Sequence, residues 1–526
     1  MKLKKFGIPF FALLAMITLS VSCKDEWENH YNSKVITRSD LNLYQYIESR
    51  DDLSKFRDML KIVGYDSILT KTQTYTVWAP TNDALAGVDL SDTVLVKKLV
   101  NNHITRFSYP TSGVTSKIIL MFNKKLIVFA KGSNGYTFGD KLIVEPDLAM
   151  SNGIIHVLGQ YAPYMKNIWE FINETDGLDS IRAFMKSVTY KTFDLEGSFK
   201  EGVFVDSVYK ETNYILDTIA HLKVEDSLYT AILPDNNAWK TAYDQAFTYF
   251  NMLPKDGGIK AQVSNTRKAI INDLFFNGKY YTAQPKDSIY STYFMNKFKN
   301  PTRLFDGAQM YEMSNGLSYV TSQLKADPKE TWLKDIRIEA EDTYWGRITT
   351  NYTASRLSSV GTSFSVSRKS YLGLTDASLS SLSKLAVTFP LPGTLSGKYN
   401  IYCVFVPTKI VDANDTRPFK VKFYLSYVNN VKAQVNFAAV DANHKVLTPT
   451  STAATYITNP NAVDEMLVAE NFQFPYANLL DWRSQDFPKN ISVVLKVENA
   501  TPKTALEQVS YNRNLRIDCI ILKPVQ

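Results

Sequence analysis

The sequence predicts an α+β protein in three parts: two tandem copies of a mixed helix–strand unit, then an all-β sandwich. Three observations carry this. Long segments of the first two thirds recur in the same order. Short β-type runs separated by Gly, Pro and Asn fill the last third. The 526 residues are 45% hydrophobic and 21% charged, with 31 Tyr and 29 Phe, the composition of a folded body with an aromatic surplus. It excludes a wholly disordered chain, a collagen, a disulfide scaffold and a polytopic membrane protein. The formal net charge of +7 is spread without a dense Lys/Arg block, so nothing points to nucleic acid as a partner.

The repeat is direct. NLYQYIESRDDLSKFRDMLK begins at 42 and NIWEFINETDGLDSIRAFMK at 167; YTVWAPTNDAL begins at 75 and YTAILPDNNAW at 229; SNGIIHVLG begins at 151 and SNGLSYVTS at 314. Three paired segments in one order mean a duplication, and the growing offset places insertions in the second copy. In the first copy, Leu43, Tyr46, Ile47, Leu53, Phe56 and Leu60 recur at helical spacing. A β run at 75–79 stops at Pro80, and Pro80-Thr81-Asn82-Asp83 reads as a turn into a helix capped by Thr81 or Asn82. A helix at 95–103 follows, then strands at 118–122, 125–130 and 141–144; Asn152-Gly153 signals a hairpin before a closing strand at 154–158.

TYTVWAPTNDAL resembles the first signature box of fasciclin domains, SNGIIHVLG the second, and Asn101-Asn102-His103-Ile104 the histidine segment between them. The resemblance covers about residues 38–165 and implies a β-wedge packed against several helices. Its motif residues here are Pro80, Thr81, Asn82, His103, Asn152, Gly153 and His156, all read as structural. His103 and His156 lack a third ligand at a diagnostic spacing, and the family implies buried, hydrogen-bonded histidines rather than a metal or base pair. The second copy, 166–330, is read as a degenerate fasciclin-like domain: Tyr319 replaces the second-box His, Asp273 stands where a His is expected, and 196–226 is an insertion.

The N-terminus looks like a processing signal. Lys2, Lys4 and Lys5 precede an apolar stretch at 6–19, the length of a signal h-region and short for a membrane span. Ser20-Val21-Ser22-Cys23 resembles a bacterial lipobox, with Ser20 where Leu is usual. This makes 1–22 a signal peptide, Cys23 the lipid attachment site and 23–37 a tether; an ordinary signal peptide with a chance Cys is the alternative. Lys24, Asp25 and Glu26 resemble the surface-export signal of Bacteroidetes lipoproteins. The expected location is the outer membrane, lipid-anchored, facing outward.

The last part, 331–526, shows strands at 336–340, 385–389, 399–406, 421–427, 491–497 and 515–522. Ile338-Glu339-Ala340-Glu341, Gly397 to Ile401 and Arg516-Ile517-Asp518 resemble a galactose-binding-type jelly roll, a pattern shared by many carbohydrate-binding modules. The resemblance implies a structural calcium held by Glu339 or Glu341 with Asp518; solvated strand-face charge is the alternative. No other cofactor is implied. Sugars need an exposed flat ring beside amides or carboxylates, and the candidates are Tyr344, Trp345, Tyr476, Asp481 and Trp482, with 475–488 read as a loop. Cys403 aligns with Ile401 and Phe405, and Cys519 with Leu515, Ile517 and Ile521, so both face a core, either bridged or as free thiols.

No HExxH, GxSxG, Walker loop, dinucleotide fingerprint or kinase set occurs, so no enzyme is expected. The expectation is a surface binding protein, a glycan- or nutrient-capture accessory beside a SusC/SusD-like uptake system. The alternative is fasciclin-type cell adhesion, or a structural spacer binding another protein.

Overall fold

The computed structural model describes residues 38–282, 287–343, 346–349, 352–376, 385–479, 492–502 and 504–525. Cys23, Lys24, Asp25, Glu26, Tyr344, Trp345, Asp481 and Trp482 lie outside them. The chain forms two compact units. One runs to Asn167 and takes in Val224–Asp226; the other comprises Ile168–Lys223 and Ser227 onward.

The first unit is built on a seven-stranded sheet. In spatial order its strands are Ile104–Arg106, Tyr75–Pro80, Gly153–Leu158, Lys141–Met150, Gly135–Phe138, Leu126–Gly132 and Ser116–Leu120. Tyr75–Pro80 and Gly153–Leu158 run parallel; the other pairs are antiparallel. Tyr75–Pro80 is buried throughout. Its period of two sends Tyr75, Val77 and Ala79 toward Leu43, Phe56 and Leu99 on the helices, and Trp78 toward Phe129 and Phe138 on the wedge. Burial on both faces is why it reads as a continuous apolar run. The amphipathic stretch at the start is a helix Leu43–Glu48, a 3-10 turn Asp51–Leu53 and a helix Ser54–Ile62. Its first helix opens with a capping box, Asn42 and Gln45 each accepting the other's backbone N–H.

The helix expected after Asp83 is not formed: residues 82–87 are turns. The Asn82 carboxamide is committed elsewhere. Its Oδ1 accepts from Lys55 N at 2.8 Å and its Nδ2 donates to the Asp51 carbonyl at 2.8 Å. It therefore ties the strand end to the start of the helix Ser54–Ile62 instead of capping its own segment.

The second unit repeats the central arrangement. Strands Phe275–Asn277, Tyr229–Pro234, Gly316–Thr321 and Gln309–Met313 form a four-stranded sheet, with Tyr229–Pro234 parallel to Gly316–Thr321. Here Asp235 does cap a real helix, Asn236–Phe247, accepting from Ala238 N. The insertion contains a hairpin of Thr189–Phe193 with Tyr209–Asn213. The registers correct one alignment. Ile232 N donates to the Leu274 carbonyl as Trp78 N does to that of His103. Leu274 therefore matches His103, and Asp273 matches Asn102.

Two further sheets enclose one core in the same unit. The first joins Tyr352–Ser358, Ser370–Asp376, Leu515–Val525, Lys398–Phe405 and Asp464–Gln473, with Ile336–Glu339 also on Leu515–Val525. The second joins Ile348–Thr349, Ala386–Pro390, Val494–Asn499, Lys420–Val428 and Gln434–Ala439, with Tyr456–Ile457 on Lys420–Val428. Leu372, Ile401 and Ile517 from one sheet pack with Val387, Phe423 and Leu495 from the other.

The long strand Leu515–Val525 breaks its alternation. Phe405 pairs with Ile517 but Cys403 with Ile520, so one extra residue is inserted at 518–519. Leu515 and Ile517 face the main core, as do Ile520 and Leu522; Cys519 and Ile521 pack on the other side with Val404. Cys519 therefore does not share a side with Leu515 and Ile517. Cys403 lies in the main core and Cys519 in the other cluster, both as free thiols. Side chains on opposite faces of a sheet cannot bridge without backbone movement.

Candidate functional sites

Both fasciclin-box histidines are saturated. His103 is fully buried, its Nδ1 2.8 Å from the Leu99 carbonyl while its Nε2 accepts from Ala162 N at 3.0 Å. His156 Nε2 lies 2.9 Å from the Tyr109 carbonyl, and its Nδ1 accepts from Asp147 N at 3.2 Å. Each ring uses one nitrogen as donor and one as acceptor, the neutral form, and leaves neither for a metal. In the second unit Tyr319 stands at the place of His156, and its hydroxyl donates to the Tyr280 carbonyl at 2.8 Å. Tyr280 matches Tyr109, since both backbone amides donate to the threonine of the central strand, Thr230 and Thr76. The phenol thus replaces the imidazole on one shared contact.

Asn152 and Gly153 also act on the backbone. Asn152 Oδ1 accepts from Leu43 N at 2.8 Å, and its Nδ2 donates to the Leu69 and Lys71 carbonyls at 2.7 Å each. Asn315 does the same in the second unit, accepting from Ile168 N and donating to the Leu222 carbonyl. A Cβ on Gly153 would lie 2.0 Å from the Tyr75 carbonyl oxygen, and one on Gly316 1.8 Å from that of Tyr229. Pro80 ends the first central strand, and Thr81 Oγ1 accepts from Ala84 N.

The bulge in Leu515–Val525 sets a buried carboxylate cluster. Asp518 sits where that strand changes partner, from Ser370–Asp376 to Ile336–Glu339. Glu339, Glu341 and Asp518 are all buried. Oxygens of Glu339 and Asp518 and the Cys519 sulfur lie within 4.8 Å of one another. Ser367 closes over them, its N–H donating to Asp518 and its hydroxyl to Glu339 Oε1 at 2.8 Å. Arg368, in the left-handed region at φ 47°, brings its Nε to 3.6 Å from Glu339. Glu341 accepts from Ser370 Oγ and lies 3.8 Å from Arg356. Among the described residues, Glu339 Oε2 and Glu341 Oε2 are buried without a hydrogen-bond partner, which is costly for a carboxylate. Burial, with Glu339 and Glu341 nearby, pushes the Asp518 carboxyl up to about 6. Burial also keeps the Cys519 thiol protonated, and Arg337 donates to its sulfur at 3.0 Å. The donor set facing a cation is hard oxygen, with Glu339 and Asp518 together and Glu341 outside the tight group.

The second sheet of the sandwich carries an aromatic face that the sequence candidates missed. Val421, Phe423 and Leu425 point into the core, so Lys422, Tyr424 and Ser426 point out. Tyr424 is directly opposite Lys496. The Lys496 ammonium lies 4.9 Å from the Tyr424 ring centre, 5.7 Å from that of Phe437, and 3.1 Å from Glu498 Oε2. Phe437 stands at φ 52° in an irregular stretch of its strand, held by its N–H to Ser426 Oγ at 2.8 Å, and is 39% exposed. Of the candidates named from sequence, Tyr476 is half-buried, its hydroxyl 3.5 Å from the Asn430 carbonyl.

The wedge of the first unit shows a third feature. Ile119, Phe129, Phe138 and Ile143 face inward. The alternate residues Ile118, Leu120, Leu126, Val128, Leu142 and Val144 are exposed, Ile118 and Leu120 at 65% and 58%. Ile118 is opposite Val128 and Leu120 opposite Leu126, so they are neighbours on one outer face. No described helix is long and apolar enough to cross a membrane.

Burial pulls the His103 imidazole down to about 4, and His156 is lowered by the same cause. A native value below the unfolded one, about 6.5, gives stability that is present above pH 6.5 and lost as pH falls toward 4. For His103 this amounts to about 3 kcal/mol. Urea midpoints of the first unit should therefore drop over that window; a flat profile would contradict the buried neutral ring.

A family model described as the fasciclin domain matches residues 51–161. Among curated proteins, transforming growth factor-beta-induced protein ig-h3 of Sus scrofa is 24% identical over 169 residues, 30% of this chain and 25% of that protein. Human periostin is 24% identical over 146 residues, 25% of this chain and 17% of that protein. The chain thus spans a quarter or less of the length of these relatives. Among solved structures, a domain pair from the insect cell adhesion molecule fasciclin I aligns at TM-score 0.21 and 13% identity, over 53% of this chain and 98% of that one. The C-terminal family 22 carbohydrate binding module of Clostridium thermocellum Xyn10B aligns at TM-score 0.19 and 12% identity, over 36% and 92%. Overlaps at that level leave the fold resting on the strand registers above. The chain carries a fasciclin domain, matched over residues 51–161.

Proposed function

We propose that this is a lipid-anchored cell-surface binding protein of Bacteroidetes type, a glycan- or nutrient-capture accessory of a SusC/SusD-like outer-membrane system. In this reading Cys23 carries the lipid and Lys24, Asp25 and Glu26 direct export. The second copy is a degenerate fasciclin-like domain, and the sandwich is a galactose-binding-like jelly roll. The observation that carries the glycan contact is the outer face of the sheet containing Lys420–Val428. Its Phe437 ring is 39% exposed with Tyr424 beside it, and the Lys496 ammonium lies over both, so the face offers an aromatic edge for a sugar's apolar side and a cationic donor for its hydroxyls.

A calcium ion fits the carboxylate cluster. Glu339 and Asp518 would hold it and Glu341 would back them. The bound ion would fix the Ser367–Lys369 turn to the long strand. The unpartnered Glu339 Oε2 is the observation behind this assignment. An ion at 100 times its dissociation constant stabilises by about 2.7 kcal/mol, so the melting temperature should rise with calcium and fall with chelator. Asp518→Asn should lose that response, and a chelator-insensitive wild type would sink the assignment.

A second reading, contact with another protein, is favoured by the aliphatic outer face of the wedge. Accessory and adhesion roles both need such a face. Ile118→Lys with Val128→Lys should release the chain from any membrane complex it co-purifies with, without lowering its thermal stability. Retention would assign that contact elsewhere.

For the glycan contact, affinity electrophoresis of residues 24–526 through gels of soluble polysaccharides is the direct test. Retardation by at least one polysaccharide should weaken about tenfold or more in Phe437→Ala and Tyr424→Ala. Unchanged retardation in both would move the site off this face.

A further inference from the structure

The second unit holds a cavity of about 490 Å3 between the helices Asn236–Phe247 and Gly258–Ile271 and the segment 322–332, within the usual range for small-molecule sites. It exists because small side chains, Ala238 and Ala242 one turn apart and Ala269 opposite, stand where two helices would otherwise close. Its walls mix kinds: Thr241, Gln245 and Gln323 offer hydrogen bonds, and Trp332 offers a ring. Among the described residues, one ionisable group lines it, Asp273.

Asp273 is 7% exposed. Its Oδ1 accepts from Ser291 Oγ at 2.6 Å and from Asn296 Nδ2 at 2.8 Å. In the first unit the matching residue, Asn102, donates its amide to the Ala162 and Pro163 carbonyls. A carboxylate cannot donate in that way, so the chemistry of this position has changed from a strut to an acceptor on a cavity wall. Lys334, which donates to Asn296 Oδ1, attracts the Asp273 charge from the protein side. Burial raises the Asp273 carboxyl, and the hydrogen bonds from Ser291 and Asn296, with Lys334 after them, partly offset this.

We propose that this cavity is a second ligand site, for a neutral polyhydroxylated molecule of one or two sugar rings, with Asp273 accepting from its hydroxyls and Trp332 covering an apolar ring face. The neutral class follows from the charges. Lys334 stands near Asp273 and partly offsets its charge, so a cationic ligand meets like charge, and an anionic one meets the carboxylate. The mixture of amide, hydroxyl and aromatic walls suits a sugar better than a purely apolar guest. The site does not depend on the sandwich face.

The test is calorimetric titration of residues 24–526 with D-glucose, D-galactose, N-acetyl-D-glucosamine, lactose and cellobiose, and with putrescine as the cationic control. At least one sugar should bind, with affinity reduced about tenfold or more in Asp273→Asn and abolished in Ala242→Phe, which fills the cavity. Phe437→Ala should leave it unchanged, which separates this site from the sandwich face. Circular dichroism melts of each variant distinguish lost binding from lost folding. Binding by none of the sugars, binding indifferent to Asp273→Asn, or binding of putrescine in their place would overturn the proposal.

Discussion

The close approach of two parallel strands organises both the seven-stranded sheet of the first unit and the four-stranded sheet of the second. Gly153 brings its strand against the Tyr75 carbonyl so tightly that no Cβ fits, and Asn152 beside it gathers backbone groups from residues 43, 69 and 71. The helical layer is thereby pinned to the strand that the glycine admits. Gly316 and Asn315 repeat this in the second unit. Around that pair the two units differ. The wedge of the first unit has extra strands and an exposed aliphatic outer face, whereas the second unit carries an added hairpin and an open cavity.

The sandwich depends on a different irregularity. One inserted residue in Leu515–Val525 turns Asp518 beside Glu339 and moves Cys519 out of the main core. The cluster carries a real cost, since two buried carboxylate oxygens have no partner among the described residues. A buried arrangement of that kind is stable only with compensation.

Much of this was legible in the sequence. The duplication, the central strands and the helix at 95–103 follow from period, turn chemistry and the paired segments, while the acidic residues of the sandwich edge came from the resemblance to a galactose-binding-type jelly roll. What was not legible came from broken periods and long-range contacts. Asn82 looked like a local cap, but it caps a helix some 27 residues earlier through Lys55 N. Asp273 was placed one residue off because insertions hide the register that only strand pairing reveals. The inserted residue at 518–519 leaves no mark in the pattern of Leu515, Ile517, Cys519 and Ile521. Tyr424 could have been found by alternation with Val421, Phe423 and Leu425. Phe437 could not, because it stands where its strand departs from period two. Strands Tyr352–Ser358, Ser370–Asp376 and Asp464–Gln473 were missed because Ser, Thr, Glu and Asn dilute their apolar alternation.

The glycan contact proposed above lies on the outer face of the sandwich sheet that contains Lys420–Val428. Amide hydrogen exchange of residues 24–526, with and without a retarded polysaccharide's oligomer, tests it most directly. Added protection in 420–428, 434–439 and 494–499, with 75–80 and 153–158 unchanged, is the predicted result. Protection confined to the fasciclin strands, with those sandwich segments unaltered, would contradict it.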